Sequence, residues 1–121
     1  MKILHIEDVS EISQIFADIL STKNYDFDSV SDGRAGLELA VYKDYDLILL
    51  DMCMPQYSGM DFLKDLTKQK PSQLRKVVVV SVLKFSANQI KELLKMGIHS
   101  VEEKPTNLQK LEVIKKNMWL R

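Results

Sequence analysis

The sequence predicts an α/β protein, a three-layer doubly wound sandwich in which a parallel five-stranded sheet lies between helices. Two runs carry the strand signal: LILL at Leu47 to Leu50 and VVVVSV at Val77 to Val82 are too continuously apolar to leave one face in water, so they read as strands buried on both sides. Between such runs lie helix-length segments whose apolar residues recur at three- and four-residue spacing. The two patterns alternate five times, which is how a parallel sheet with crossover helices is written in sequence.

Taken in order, the first strand is Lys2 to Glu7, followed by a helix with Val9, Ile12, Phe16, Ile19 and Leu20 on one stripe and Asp8 with Glu11 as a capping box. The second strand spans about Asp26 to Val30. Ser31-Asp32-Gly33 then opens a short helix on which Gly36, Leu37, Ala40 and Val41 share a face. The third strand is Asp46 to Leu50, and its helix starts near Gly59 with Phe62, Leu63 and Leu66 inward; Pro71 prevents its continuation. The fourth strand, Lys76 to Val82, leads to a helix opened by Ser86 with Gln89 three residues on, carrying Ile90, Leu93 and Leu94 and closed by Gly97. A weaker fifth strand, within HSVEEKP at 99–105, precedes a last helix from about Asn107 with Leu108, Leu111, Ile114 and Met118 facing in.

A chain of 121 residues, 45% hydrophobic, is one domain's worth with a single sizeable core, and residues 1–121 are expected to form one domain. Seventeen basic and seventeen acidic side chains give a formal charge of zero, so no sequence-wide footprint for nucleic acid or an acidic membrane exists. Apolar runs fall far short of the roughly 20 residues of a membrane span. The lone Cys53 has no partner for an intramolecular disulfide, and no leader-like segment precedes the first strand; a cytoplasmic location is expected.

The chemistry gathers at strand ends. In an open parallel sheet, ligands bind beyond the carboxyl ends of the strands, where strand order reverses. The first strand ends in Glu7-Asp8, the third in Asp51, the fourth in Ser81 and the fifth in Lys104-Pro105, so three carboxylates, a hydroxyl and an ammonium converge on one edge. Carboxylates about 4 Å apart repel by roughly 4 kcal/mol per pair at an effective dielectric near 20, so a positive partner is required. Mg²⁺ suits such an oxygen-rich site, and Lys104 adds a second, movable positive charge. An Asp held beside both can attack a phosphoryl group, with Ser81 placed to hydrogen-bond the transferred oxygens. Taken singly, each residue also has a plain structural role: Asp8 as a helix cap, Ser81 as a buried hydroxyl, Lys104 as a solvated loop side chain. All of those would have to hold together, at the first, third, fourth and fifth strand ends.

In this pattern the chain resembles the receiver domain of two-component response regulators, CheY-like, from Met1 to about Met118. The matching pieces are Glu7-Asp8, Asp51 in DMCMP, Gly59 four residues past the proline, Ser81 and Lys104-Pro105. The resemblance implies a flavodoxin-like (βα)5 fold with strand order 2-1-3-4-5. It implies that Asp51 accepts a phosphoryl group from a histidine kinase or histidine phosphotransfer protein, and that Asp8, Asp51 and the backbone carbonyl of Cys53 bind Mg²⁺ or Mn²⁺. In that picture Glu7 acts through water, and Ser81 and Lys104 sense the acyl phosphate. The readout would be a change in the face formed by the fourth helix, fifth strand and fifth helix, which serves a downstream protein and allows a weak homodimer. Such a chain catalyses only its own phosphorylation and dephosphorylation, with no nucleic acid or membrane bound through it.

Three positions depart from the family. Val82 stands where a small residue usually follows the strand 4 hydroxyl, Val101 where Tyr or Phe lies three residues before the lysine, and Glu102 where an apolar residue is common. An aspartyl-phosphate hydrolase would want a second Asp where Cys53 stands. A flavin-binding flavodoxin would want a glycine- and hydroxyl-rich loop where EDVSEIS stands, which would repel phosphate. The competing reading of a different class is a receiver-fold interaction module that docks a partner independently of phosphorylation.

Overall fold

In the computed structural model, which describes residues 1–21, 25–82 and 84–103 (backbone alone at 19–21), the chain alternates strand and helix from the first residues onward. The elements are β1 (Lys2–Ile6), α1 (Ser10–Ser21), β2 (Asp26–Val30), α2 (Gly33–Tyr42), β3 (Leu47–Leu50), α3 (Gly59–Gln69), β4 (Val77–Ser81), α4 (Ala87–Lys95) and β5 (Ser100–Glu103), with a 3-10 turn at Pro71–Lys76 before β4. The sheet is five-stranded and parallel throughout, in the order β2-β1-β3-β4-β5. Flavodoxin-like topology is thereby established. Lys104, Pro105 and the expected last helix lie outside the described residues, as do the side chains of Ile19 and Leu20.

Side-chain alternation along the central strands divides the core in two. Leu4, Ile6, Ile48, Leu50, Val77 and Val79 face one side, where they pack with Ala40, Phe62, Leu63, Leu66 and Leu93 of α2, α3 and α4. Ile3, Leu47, Leu49, Val78 and Val80 face the other, against Phe16 of α1. All four β3 residues are therefore buried, and neither face of the strand meets solvent. The edge strands instead carry Asp26 and Asp28 in β2 and Glu102 and Glu103 in β5, and charge of this kind discourages edge-to-edge pairing between sheets.

Capping follows local chemistry. Ser58 with Asp61 and Ser86 with Gln89 form complete capping boxes on α3 and α4, and Asp32 caps α2 by accepting from the Arg34 N–H. Met96 is the C-cap of α4 and Gly97, at φ +106°, follows it in the left-handed region. Some details differ from the sequence reading. β1 stops at Ile6 and α1 starts at Ser10, so Asp8 with Glu11 is not its capping box, and Val9 precedes the helix and is exposed. Leu94 is also exposed: successive helical residues are about 100° apart, so with Leu93 at the centre of the buried stripe its neighbour turns away. The 3-10 turn was absent from the sequence reading. It holds the buried Gln73, whose amide donates to the carbonyls of Ala40 (3.0 Å) and Lys43 (2.7 Å) at the end of α2.

Candidate phosphoryl-acceptor site

The chain runs from β1 outward to β2, then returns past β1 to β3, so strand order reverses between β1 and β3. Whatever follows those two strands stands in the crevice that the reversal opens. The Asp51 N–H donates to the Ile6 carbonyl (3.0 Å), and the Glu7 N–H donates to the Val30 carbonyl (3.0 Å), which extends the ladder by one residue at each strand end. Glu7, Asp8 and Asp51 are brought together there: one carboxylate oxygen of each lies within 4.8 Å of the others. Glu7 and Asp51 are buried and Asp8 is half-buried, yet Asp8 Oδ1 is itself inaccessible and has no hydrogen-bond partner among the described residues. At such distances each ionised pair repels by about 3 kcal/mol at an effective dielectric near 20, so the arrangement is a receptor for positive charge.

The loop after β3 curls back on Asp51. The Cys53 N–H donates to Asp51 Oδ1 at 3.1 Å, while the Cys53 side chain is exposed. Further on, the Gly59 N–H donates to the Met52 carbonyl at 3.2 Å. A Cβ on Gly59 would lie 2.7 Å from Met52 Cα and 2.8 Å from the Asp51 carbonyl oxygen, so only glycine lets α3 begin this close to the Asp51 backbone. Ser81 ends β4 and is buried. Val82, directly after it, is 66% exposed, and Val101 is half-buried against the core beneath α4. Of the strand-end residues singled out from sequence, Lys104 and Pro105 lie outside the described residues.

Sequence reasoning overlooked the support beneath the loop. Tyr57 is buried, its hydroxyl makes a short hydrogen bond to Asp65 Oδ2, and the Arg34 guanidinium stacks 4.7 Å from its ring centroid. Burial first, and then the Asp65 bond, pushes the phenol well above its ordinary pKa. The available signal was a single aromatic between Pro55 and Gly59, in a loop otherwise short of anchors.

Comparison with known proteins agrees along the chain. The family model "Response regulator receiver domain" matches residues 3–115. Aerobic respiration control sensor protein ArcB of Escherichia coli (strain K12) is 31% identical over 123 residues, which cover 98% of this chain and 15% of that protein. Transcriptional regulatory protein HprR of the same organism is 45% identical over 73 residues, 59% of this chain and 33% of that protein. The matched regions thus span 15% and 33% of these relatives' lengths. Among solved structures, the receiver domain of Francisella response regulator 1452 superposes with a TM-score of 0.85 at 28% identity, covering 99% of this chain and 97% of that one. The BeF3-activated N-terminal receiver domain of Klebsiella pneumoniae RstA gives 0.82 at 25% identity, covering all of both chains. With the topology, the acidic crevice and these matches in agreement, the chain belongs to the response regulator receiver domain family of two-component systems.

Proposed function

We propose that residues 1–121 form one receiver domain that takes a phosphoryl group on Asp51 from a histidine kinase or histidine phosphotransfer protein and relays the change to a downstream protein. The observation that carries this reading is the meeting of Glu7, Asp8 and Asp51 within 4.8 Å where the strand order reverses. An inaccessible Asp8 oxygen with no hydrogen-bond partner among the described residues suits a hard cation. Asp8, Asp51 and the backbone carbonyl of Cys53 would hold Mg²⁺ or Mn²⁺, with Glu7 acting through water. Bound there, the ion supplies the positive charge that offsets both the carboxylates and the phosphoryl oxygens.

The chain's own groups do the rest. The buried β3 strand fixes Asp51, so its carboxylate meets the phosphorus without a search over rotations of the backbone. An Asp51 oxygen forms the new bond to phosphorus as the phosphorus–nitrogen bond of the donor phosphohistidine breaks, and the imidazole leaves with that electron pair. The Ser81 hydroxyl donates to a phosphoryl oxygen and the Lys104 ammonium pairs with another, which couples phosphorylation to the ends of β4 and β5. The face of α4, β5 and the last helix then serves the downstream protein. Partnership with a kinase of this class places the domain in the cytoplasm; no described helix is long and apolar enough to cross a membrane.

The test is incubation with acetyl phosphate and Mg²⁺, followed by intact mass. One added phosphoryl group, alkali-labile and lost in Asp51→Asn, is expected. Labelling that persists in Asp51→Asn moves the nucleophile elsewhere, and no labelling at all favours a docking module that works independently of phosphorylation.

A further inference from the structure

We propose that Tyr57, through Asp65 and Arg34, is a positioning residue that holds the β3–α3 loop in a strained shape and thereby sets the affinity of the acidic site for its cation. The proposal rests on the reading that the Cys53 backbone faces that cation.

The strain sits at Gln56, whose φ is +69°, while the Tyr57 N–H donates to the Pro55 carbonyl at 2.7 Å. A bond from residue i+2 to residue i around a positive φ is the γ-turn that side chains other than glycine adopt rarely, at a cost on the order of 1 kcal/mol or more. Such a turn persists only if its surroundings hold it. Upstream the loop is tied by the Cys53 N–H to Asp51 Oδ1, and downstream by the Gly59 N–H to the Met52 carbonyl. Between those ties two side chains are buried, Met54 and Tyr57. Met54 packs into the apolar core, and apolar contact does not fix a direction.

Tyr57 is directional. Its single hydroxyl proton goes to Asp65 on the second turn of α3, with the Asp61 carbonyl a longer 3.4 Å contact. Its ring is covered by Arg34 from the first turn of α2, and it passes so close to Gly33 that a Cβ there would stand 2.7 Å from Tyr57 Cδ2. The residue thus joins two helices to the loop immediately after the strained position. Without the Asp65 bond the γ-turn can relax, and the relaxation runs along the backbone towards Cys53 and Asp51. A phenol is protonated throughout the neutral range, and burial raises its pKa further, so the proton stays on the donor.

The experiment is calorimetric titration of Mg²⁺ into the wild type, Tyr57→Phe, Asp65→Ala and the double variant, well below each melting midpoint, with acetyl phosphate labelling at low and saturating Mg²⁺. Each single variant is expected to weaken Mg²⁺ binding roughly 10-fold, as loss of a group that orients a metal ligand does. The double variant should be no weaker than the singles, because both remove one bond. Saturating Mg²⁺ should restore the wild-type labelling rate. Variants that melt earlier but keep the wild-type Mg²⁺ affinity would reduce Tyr57 to a packing residue and overturn the proposal, as would additive losses in the double variant. A wild type that binds Mg²⁺ without being labelled overturns the phosphoryl-transfer reading and leaves this comparison standing; one that binds no Mg²⁺ overturns both.

Discussion

The Tyr45 hydroxyl donates to Asp28 Oδ2 at 2.7 Å, tying the segment that enters β3 to the edge strand β2. That bond is the largest influence on Asp28; with Lys43 and Lys2 helping and burial opposing, it holds the carboxyl below its ordinary value of 3.8. A depressed folded-state pKa stabilises the fold above the unfolded value, and the contribution is lost as pH falls through 3.8 towards the lower folded value. Tyr45→Phe is expected to cost about 1 kcal/mol at pH 7, with allowance for the partial exposure of Asp28, and the difference should shrink towards pH 3. Urea midpoints of both proteins at the two pH values measure it.

Three carboxylates within 4.8 Å lead to a second expectation. Asp51→Asn removes one charge from the cluster and should raise the melting temperature in the absence of metal, while millimolar Mg²⁺ should raise that of the wild type by mass action. Differential scanning fluorimetry with and without chelator is sufficient, and coincident curves for all samples would refute the cation site.

Gly59→Ala puts a methyl group against backbone on both sides, Met52 Cα and the Asp51 carbonyl, neither of which can rotate aside. A loss of about 1 to 3 kcal/mol is expected. Because the displaced atoms belong to Asp51 and its neighbour, labelling of the folded fraction should fall as well. A variant of wild-type stability would show that α3 can start further from the strand end.

Val101 lies half-buried opposite Val79 in the ladder between β4 and β5. A β-branched side chain with one stiff torsion has no second place to go, whereas an aromatic ring can swing between buried and exposed positions. A phosphoryl group on Asp51 would shift a two-state equilibrium only by the difference it makes between the states, so the response across α4 and β5 is expected to be small and to grow in Val101→Tyr. Amide chemical shifts on adding beryllofluoride with Mg²⁺ report it. Large shifts from Ile90 to Leu94 in the wild type, unchanged by the tyrosine, would contradict the argument.

What could be read from the chain alone was whatever depends on neighbours in sequence. LILL and VVVV announce two-sided burial, and Ser86 with Gln89 sits three residues apart because a capping box must. Glu7, Asp8 and Asp51 were placed because strand ends in a parallel sheet share an edge. Asp8 and Glu11 have the spacing of a capping box, but the Asp8 carboxylate joins the acidic cluster and the helix starts two residues later. Gln73 and Tyr57 are polar groups buried by partners 30 or more residues away or on other elements, as in Gln73 to Ala40 with a separation of 33. No local pattern encodes such pairings.

The strand order has a kinetic corollary. β2, β1 and β3 are neighbours in the sheet and are the first three strands of the chain, so the whole acidic triad is contributed before β4 and β5 are needed. Where nucleation uses these strands, mutual repulsion of the carboxylates is already felt at the barrier and slows folding as well as destabilising the product. Mg²⁺ should then raise the refolding rate of the wild type, shifting the refolding arm of a chevron plot upward with little change of slope, and Asp51→Asn should refold faster than the wild type in chelator. An effect confined to the unfolding arm would mean that the triad closes only after the barrier has been crossed.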